Sequence, residues 1–221
     1  MQIKKVDNYQ FYYRPDTADE IQLRNDNTMF LIPEYDLKQN DTIFDIGAHI
    51  GTFTVPTSSK VPRGKIFAIE ARKETFEILK KNVEINKVSN VSVHHLALTD
   101  FKGETKLYIA PHRQNWGDSI TNVSDEYEIV KANTLTNYMV ENKIEHCNFM
   151  KINCEGAEFE IILSSPKETL RKIKLMLILY HCDFNKNHTE KELIKYLKKC
   201  GFKTSIRDRK EKRGWIIARR K

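Results

Sequence analysis

The residues best suited to chemistry are a glycine-containing turn and an acidic residue that follows it. The run Asp45-Ile46-Gly47-Ala48-His49-Ile50-Gly51 has the pattern of a strand end, a turn and a helix start. Glycines in such a turn let the backbone approach a ligand closely. Glu70 follows Gly51 by 19 residues, at the end of the next predicted strand. A carboxylate there can accept both ribose hydroxyls, so the sequence predicts a nucleoside-containing ligand.

The spacing of the glycines separates two kinds of nucleoside ligand. A dinucleotide site carries G-x-G-x-x-G, whose glycines admit a pyrophosphate, whereas this chain has G-A-H-I-G with His49 at the close-approach position. With Asp45 at the strand end, a ligand with a cationic amino-acid end fits better than a diphosphate. We therefore predict S-adenosylmethionine as the cofactor, with Asp45, Gly47, His49 and Gly51 around its methionine side and Glu70 on its ribose.

A second group of polar residues follows later apolar strands. Asn153, Glu155 and Glu158 follow the predicted strand CNFMKIN, and His181 ends the strand KLMLILYH. Glu155 and His181 are the candidate proton acceptors. For His181 the reason is the ordinary pKa of histidine, about 6.5, which suits a base. A structural explanation stays open: the glutamates could open a helix, whose positive end favours carboxylates, and His181 could be a hydrogen-bonded core residue. Cys182 with His181 and His188 lacks zinc-site spacing, and we predict no metal.

The elements that must position these residues alternate between short β-branched runs and helical patterns. TIFDIG, KIFAIEA, NVSVHHLAL, CNFMKIN and KLMLILYH are the predicted strands. Phe76, Leu79 and Val83 give one helix an apolar face, and Thr189 with Glu192 forms the capping box of a later helix that stops at Gly201. This alternation predicts an α/β fold with a mostly parallel sheet in a single Rossmann-like domain.

Two segments interrupt the alternation, and a hairpin ends it. Residues 1–40 form a predicted N-terminal cap to a domain at 41–221. An insertion at about 101–135 contains the polar strands ETKLYIA and DEYEIVKA around the loop PHRQNWGDSI. We expect the cap and the insertion to face the substrate. FKTSIRD and GWIIARRK, joined by the charged turn RKEKRG, predict an antiparallel hairpin that closes the sheet.

The chain resembles the FkbM-type S-adenosylmethionine-dependent methyltransferases over roughly residues 12 to 205. The resemblance lies in DIGAHIGTFT, in IFAIEA and above all in Phe149–Glu158, FMKINCEGAE, which is similar to that family's "lKIDVEGAE" signature. Supporting pieces are Arg14–Asp19, Thr134-Leu135 and Asn115–Ser119. The resemblance implies a seven-stranded methyltransferase sheet and methylation of hydroxyls on sugars, polyketides or other small metabolites. We predict an antiparallel last strand and a small-molecule, glycan or lipid acceptor.

Two positions depart from the family pattern. Asn153 stands where the family has an aspartate, and Leu179 stands where a glutamate is usual. Asn153 can still hydrogen-bond the cofactor but cannot take a proton at neutral pH. A binding module that has lost catalysis is therefore an alternative to the enzyme. Methylation of nucleobase amines is disfavoured, since Asn153-Cys154-Glu155-Gly156 replaces their Asn/Asp-Pro-Pro-aromatic turn.

Composition and charge indicate the class of protein, its localisation and the position of its basic segment. With 221 residues, 40% hydrophobic and 30% charged, the chain is globular. Its apolar runs and cysteines predict a soluble, cytoplasmic protein with reduced thiols and no membrane span. The net charge of +7 equals that of residues 203–221 alone. The turn Arg209–Arg213 is predicted over the cofactor face, where it would guide an anionic acceptor, while Arg219, Arg220 and Lys221 leave at the opposite edge. An RNA methyltransferase and a merely solubilising turn are the alternatives.

Overall fold

The structure is a computed structural model that describes residues 1–24, 36–110 and 117–220. Its strands and helices follow in chain order. They are β1 (Gln2–Val6), β2 (Tyr9–Tyr13), α1 (Ala18–Arg24), β3 (Thr42–Ile46), α2 (Thr54–Lys60), β4 (Lys65–Glu70), α3 (Lys73–Ile85), β5 (Val91–His95), β6 (Ala97–Thr99), β7 (Gly103–Tyr108), β8 (Tyr127–Thr134), α4 (Leu135–Glu141), β9 (Cys147–Ile152), α5 (Glu158–Ser164), α6 (Lys167–Leu170), β10 (Ile173–His181), α7 (Glu190–Lys199), β11 (Phe202–Lys210) and β12 (Arg213–Arg220). None of the helices described is both long enough and apolar enough to cross a membrane.

A seven-stranded sheet in the order β11-β12-β10-β9-β3-β4-β5 forms the centre of the fold. Neighbouring strands from β10 to β5 pair in parallel, whereas β12 pairs antiparallel with both β10 and β11. The Rossmann-like methyltransferase fold predicted from the sequence, with its single antiparallel last strand, is confirmed. The parallel order brings the carboxyl ends of β3, β4, β9 and β10 to one edge.

Apolar layers cover both faces of the sheet. Phe44 and Ile46 pack with residues of α4, α5 and α7, whereas Ile43, the residue before Phe44, belongs to a cluster on the other face. This alternation follows from the two-residue period of a strand. Leu79 and Val83 of α3 pack in a further cluster with Phe11 of the N-terminal hairpin. The capping box predicted at Thr189 is present at the start of α7.

The N-terminal hairpin of β1 and β2 lies against α3. Asn82 is fully buried and joins the two: its Oδ1 accepts the Tyr12 main-chain N–H at 2.6 Å, and its Nδ2 donates to the Tyr12 carbonyl at 3.0 Å. The Asn82 Nδ2 also donates to the Ile50 carbonyl at 2.8 Å, so one amide connects the hairpin to the glycine loop. The cap boundary at residue 40 stays a prediction, and residues 25–35 lie outside the described chain.

The insertion contributes two strands to a separate three-stranded sheet in the order β6-β8-β7, whose third strand, β6, directly precedes it. The two polar strands predicted there are β7 and β8. The run NVSVHHLAL, predicted as one strand, is two: Val91–His95 pairs with β4, and Ala97–Thr99 pairs with β8. The break is at Leu96, whose N–H donates to the Glu70 carbonyl at 3.1 Å. The chain thereby leaves the main sheet for the small one directly above the carboxyl end of β4.

The C-terminal hairpin has the predicted form, but its strands are longer. β11 extends to Lys210 through a register shift between Arg207 and Lys210, and β12 begins at Arg213. Because His181 pairs with Arg213, the charged turn lies at the carboxyl end of β10, as predicted. Arg219 pairs with Leu175 near the start of β10, at the opposite edge. Lys221 lies outside the described residues.

Candidate active site

A pocket of about 840 Å³, open to solvent, lies at the carboxyl ends of β3, β4 and β9. The glycine loop, the end of β4, the turn after β9 and parts of the cap and insertion surround it. Among its lining residues are Gly47, His49, Glu70, Asp118, Asn153 and Glu155. All of these except Asp118 were predicted from the sequence as cofactor-binding or catalytic residues. The fold therefore brings the predicted motifs to one cavity.

Gly47 holds the glycine loop against the turn after β9. Its φ of +74° lies in the left-handed region, and a Cβ there would lie 1.8 Å from the Asn153 carbonyl oxygen. Gly51 has a φ of +90°, and its Cβ would meet the side chain of Leu79 at 2.8 Å. Both positions therefore require glycine to pack the loop. Only Gly47 of the two lines the pocket.

Asp45 lies beneath the loop rather than in the pocket lining. It is fully buried, and its Oδ1 lies 2.8 Å from Nζ of Lys151, while its Oδ2 accepts the Thr54 hydroxyl at 2.5 Å. The Lys151 Nζ also donates to the Gly47 carbonyl at 2.6 Å. The Asp45 carboxylate thus acts on the loop through Lys151. Its direct contact with the cofactor stays a prediction.

Lys151 contacts the glycine loop from below, and the sequence reasoning gave it no role. It lies in β9 between the buried Met150 and Ile152, and its side chain is only 3% exposed. A lysine inside an apolar strand is the available signal, because a buried ammonium needs a charged partner. The partner, Asp45, is 106 positions away in the chain.

Glu70 lines the pocket with its carboxylate already oriented. Its Oε2 accepts the His49 main-chain N–H at 2.8 Å, and its Oε1 accepts the Arg72 N–H at 2.9 Å. Burial raises the pKa of Glu70 to about 6, although the two N–H donors oppose that shift. Each carboxylate oxygen can accept a further hydrogen bond. Glu70 can therefore hold the loop and bind ribose hydroxyls at once.

His49 occupies the pocket wall with a φ of +53°. Its Nε2 lies 3.2 Å from Oδ1 of Asp19 in the cap, and Asp19 is bound by Arg14 through Nε at 2.9 Å and Nη2 at 2.8 Å. Burial, together with the Arg14 and Lys151 charges, lowers the pKa of His49 to about 4, against the opposing effect of Asp19. His49 is therefore neutral at pH 7, and its role in cofactor binding stays a prediction.

The turn after β9 presents Asn153 and Glu155 to the pocket. The Asn153 N–H donates to the Ile46 carbonyl at 3.0 Å, while its buried Oδ1 has no hydrogen-bond partner within the described part of the chain. Glu155 has a φ of +51°, and α5 begins three residues later at Glu158. The explanation of Glu155 as a helix-opening residue is therefore wrong: its left-handed backbone belongs to the turn.

A residue of the insertion fixes this turn. The Ser119 hydroxyl donates to the Glu155 carbonyl at 2.5 Å and accepts the N–H groups of Thr121 and Asn122 at 3.1 and 3.2 Å. Ser119 is almost fully buried. Gly156 leaves room for this contact, since a Cβ there would lie 2.3 Å from the Thr121 hydroxyl. The insertion thus sets the conformation of Glu155.

His181 lies behind Glu155 and is absent from the described pocket lining. It is fully buried, with Nε2 3.5 Å from Oε2 of Glu155 and Nδ1 3.1 Å from Oε1 of Glu158. Its ring stacks on Phe184 at a centroid distance of 5.8 Å. Burial lowers the pKa of His181, but the Glu158 and Glu155 carboxylates outweigh it, so the pKa is raised.

Two further predicted features take up positions around the site. The Asp118 Oδ2 lies 3.3 Å from Nη1 of Arg72, beside the ribose candidate Glu70, and burial raises the pKa of Asp118. Asn115 and Trp116 lie outside the described residues. Leu179 packs against the apolar cluster that contains Trp215 and is not among the described lining residues.

The charged turn is partly neutralised by acids of the neighbouring loop. Arg213 binds Asp183, with Nη2 2.7 Å from Oδ2, and lies over the Phe184 ring at 4.8 Å. Arg209 forms an ion pair with Glu190. Lys210 and Lys212 are exposed. The cationic character of this edge therefore rests mainly on the two lysines.

The arrangement fits S-adenosylmethionine. The glycine loop admits close approach to a ligand in the pocket, and Glu70 offers acceptors to a ribose. Asn153 lines this cavity, and its buried Oδ1 has no hydrogen-bond partner among the described residues. Within the described residues no cluster of three His, Cys, Asp or Glu side chains could hold a metal ion.

Comparisons with known proteins agree with this fit. The methyltransferase FkbM domain matches residues 45–204. The hexuronic acid methyltransferase AglP of Haloferax volcanii is 22% identical over 223 residues, covering 99% of this chain and 88% of the relative. A probable ribosomal RNA small subunit methyltransferase A of Methanosphaera stadtmanae is 38% identical over 72 residues, 32% of this chain and 26% of that protein. The methyltransferase FkbM structure from Methylobacillus flagellatus has a TM-score of 0.53 at 12% identity, over 84% of this chain and 45% of that one.

The family resemblance predicted from FMKINCEGAE is confirmed by the domain match, and the predicted cofactor is confirmed with it. The roles of individual site residues stay predictions. The chain belongs to the FkbM methyltransferase family and is an S-adenosylmethionine-dependent methyltransferase.

Proposed function

We propose that the protein methylates a hydroxyl group of a small-molecule or glycan acceptor, with Glu155 as the proton acceptor. The observation that carries the proposal is the position of Glu155 in the pocket lining, together with Asn153, and with its Oε2 3.5 Å from Nε2 of His181. S-adenosylmethionine, when bound, supplies an electrophilic methyl group. The protein must then align the acceptor oxygen and remove its proton, and a positioned carboxylate does so by general base catalysis.

Named residues divide this work. Glu70 and Asn153 offer hydrogen-bond acceptors to the cofactor, and the Gly47 loop offers close backbone approach. The Asp45–Lys151 pair keeps that loop in place from below. Ser119 holds the backbone of Glu155 so that the carboxylate stays in the pocket wall. Asn153 cannot accept a proton at neutral pH, and Glu155, two residues later, takes the role of proton acceptor instead.

For the acceptor we propose a sugar acid or another anionic glycan or lipid. The support is the similarity to a hexuronic acid methyltransferase along almost the whole chain, together with the exposed Lys210 and Lys212 at the pocket edge of the sheet. Lysines near a site raise the local concentration of anions. We place the reaction in the cytoplasm, supported by four cysteines that are all free thiols.

The test is transfer of a labelled methyl group to a panel of acceptors. The panel contains uronic-acid glycosides, neutral glycosides, polyketide alcohols, anionic lipids and RNA. We expect product only with hydroxyl acceptors, and a drop of about 100-fold or more in kcat for Glu155→Gln at unchanged cofactor affinity. Glu168→Gln, at an exposed residue of α6, is the matched control and should behave as the parent.

Two other activities are separated by the same panel. Cofactor binding without transfer to any acceptor would favour a module that has lost catalysis. Transfer to RNA would favour the RNA methyltransferase alternative, which is supported by the similarity of about a third of the chain to a probable ribosomal RNA methyltransferase. Transfer that persists fully in Glu155→Gln would remove Glu155 as the base.

A further inference from the structure

Glu155, His181 and Glu158 contact one another in series, from the pocket lining into the interior. Glu155 lines the pocket, His181 lies 3.5 Å behind it, measured from Nε2 to Oε2, and Glu158 lies 3.1 Å behind Nδ1 of His181. The His181 and Glu158 side chains are fully buried, and Glu155 is 9% exposed. Only Glu155 among the three reaches the described pocket lining, so it lies between the pocket and His181.

Two main-chain N–H groups and the His181 ring contact the Glu158 carboxylate. Its Oε1 accepts the His181 main-chain N–H at 2.6 Å and lies within hydrogen-bond distance of the His181 Nδ1, and its Oε2 accepts the Gly156 N–H at 3.0 Å. Both Glu158 oxygens already accept main-chain N–H groups, so the carboxylate acts as an acceptor toward the ring as well. The His181 Nδ1 must therefore carry a hydrogen, which Glu158 orients.

The tautomer has a consequence on the other side of the ring. With Nδ1 protonated, a neutral imidazole turns the lone pair of Nε2 toward Oε2 of Glu155, 3.5 Å away. Two electron-rich atoms facing each other repel, and one added proton between them removes the repulsion. Stacking on Phe184 at an interplanar angle of 14° keeps the ring in this plane. One added proton between Nε2 of His181 and Oε2 of Glu155 would therefore be stabilised.

We propose that Glu155 and His181 act as one proton-accepting pair, in which Glu155 takes the acceptor hydroxyl proton and passes it to Nε2 of His181, while Glu158 fixes the tautomer. This inference rests on the proposed O-methylation. The acceptor O–H bond breaks with its electron pair left on oxygen, and the proton bonds to the Glu155 oxygen. It then moves to Nε2 as that bond breaks, and the imidazolium later returns it to water through Glu155. Glu155 is the catalytic residue; His181 and Glu158 are positioning residues.

Other charged or titratable groups also face this pair. Arg213 of β12 opposes protonation of His181, and Asp183, which binds Arg213, favours it. Cys154, Cys182 and Glu160 lie near Glu158. In the parent these groups leave the pKa of His181 above its ordinary value. Because the pair accepts a proton only with His181 neutral, the rate should rise with pH through that raised pKa.

Histidine-selective 15N labelling tests the tautomer independently of turnover. The chain has seven histidines, and His181→Gln assigns the signal. With S-adenosylhomocysteine bound, we expect neutral His181 protonated at Nδ1, and a lower pKa of His181 in both Glu158→Gln and Glu155→Gln. A neutral ring protonated at Nε2, or a pKa that does not change when Glu155 loses its charge, overturns the pair. S-adenosylhomocysteine affinity and the melting temperature identify any variant that fails to fold, and Glu155→Gln leaves the buried Glu158 intact.

The pH profile of single-turnover methyl transfer tests the role in the reaction. We expect Glu158→Gln to move the rising limb to lower pH, and His181→Gln to lose that limb with a rate at least about tenfold lower. His188→Gln is the matched control, since His188 also contacts a glutamate, Glu192, and stacks on Phe159, but at the surface. A parent-like profile in His181→Gln contradicts the proposal. A third outcome is a neutral His181 protonated at Nδ1, with a pKa that depends on Glu155, but no methyl transfer to any acceptor. That outcome would support the proton-accepting pair and overturn only the proposed O-methylation.

Discussion

The Nζ of Lys151 lies 2.8 Å from Oδ1 of Asp45, and both side chains are buried beneath the glycine loop. The Lys151 ammonium also donates to the Gly47 carbonyl, so one ion pair joins β9 to β3 and supports the turn that faces the pocket. Removal of one member would leave an uncompensated charge in the interior.

Lys151→Met should destabilise the fold strongly because it leaves the Asp45 carboxylate buried without its cation. We expect a loss of about 3–5 kcal/mol in the free energy of unfolding, measured by urea denaturation at pH 7. Lys102→Met is the control, since Lys102 forms an ion pair with Glu141 at the surface, where such pairs contribute little. Equal stability of the Lys151 variant and the parent would show that the buried pair has no supporting role.

Glu70→Ala should weaken cofactor binding because the ribose loses its carboxylate and the loop loses the acceptor for the His49 N–H. Hydrogen bonds to a charged group contribute about 1.5–3 kcal/mol, so we expect the Kd for S-adenosylhomocysteine to rise at least about tenfold in titration calorimetry. The exposed Glu126→Ala variant is the comparison. Parent-like affinity of Glu70→Ala would exclude Glu70 as a ribose ligand.

His49 should make stability fall in mild acid. Its pKa is lowered to about 4, so between about pH 6.5 and pH 4 the unfolded chain binds a proton that the folded chain does not, and folding weakens as pH falls. His49→Asn tolerates the left-handed φ and should show a smaller decline in unfolding free energy over this range. His146→Asn, at an exposed residue, should retain the decline. The same decline in both variants would contradict the assignment.

Ser119→Ala should lower kcat while leaving cofactor affinity unchanged, because the turn that carries Glu155 loses its hydroxyl donor. We expect a reduction of about tenfold, consistent with loss of roughly 1.4 kcal/mol of positioning. Ser124→Ala removes another hydroxyl of the same insertion, one that donates to the Ile109 carbonyl, and serves as the control. If both variants keep the parent's kcat, the insertion does not position Glu155.

Neutralising the exposed lysines of the C-terminal turn should raise the KM for an anionic acceptor. Arg209 and Arg213 are paired with acids, so the double variant Lys210→Gln, Lys212→Gln should account for most of the effect. Salt screens charges over about 8 Å at physiological ionic strength, and the difference from the parent should vanish at high salt. Arg219→Gln with Arg220→Gln, at the opposite edge, is the control.

The competing outcomes for the turn are distinct. A KM that is unchanged across a salt series would leave the turn as a solubilising feature only. Strong, salt-dependent RNA binding that is lost in the lysine variant would instead favour the RNA methyltransferase alternative.

Local patterns were sufficient to predict the sheet, the hairpin and the family. The two-residue period of the strands, the capping box at Thr189 and the signature at 149–158 are properties of short segments, and each appears in the structure where the sequence places it. The break of NVSVHHLAL at Leu96 was missed because both halves have strand character, and only their partners, β4 and β8, differ.

The sequence by itself determined which residues could do the chemistry, and the tertiary structure decided where each of them lies and which side chains it contacts. Asp45 and Glu155 both end or follow parallel strands, yet Asp45 is bound to Lys151 beneath the loop and Glu155 lies in the pocket wall. His181 lies behind Glu155 because Glu158, 23 positions away, accepts its main-chain N–H. The periodicity of the sequence predicts which face of an element is buried. Contacts between residues far apart in the chain depend instead on which strands become neighbours in the sheet.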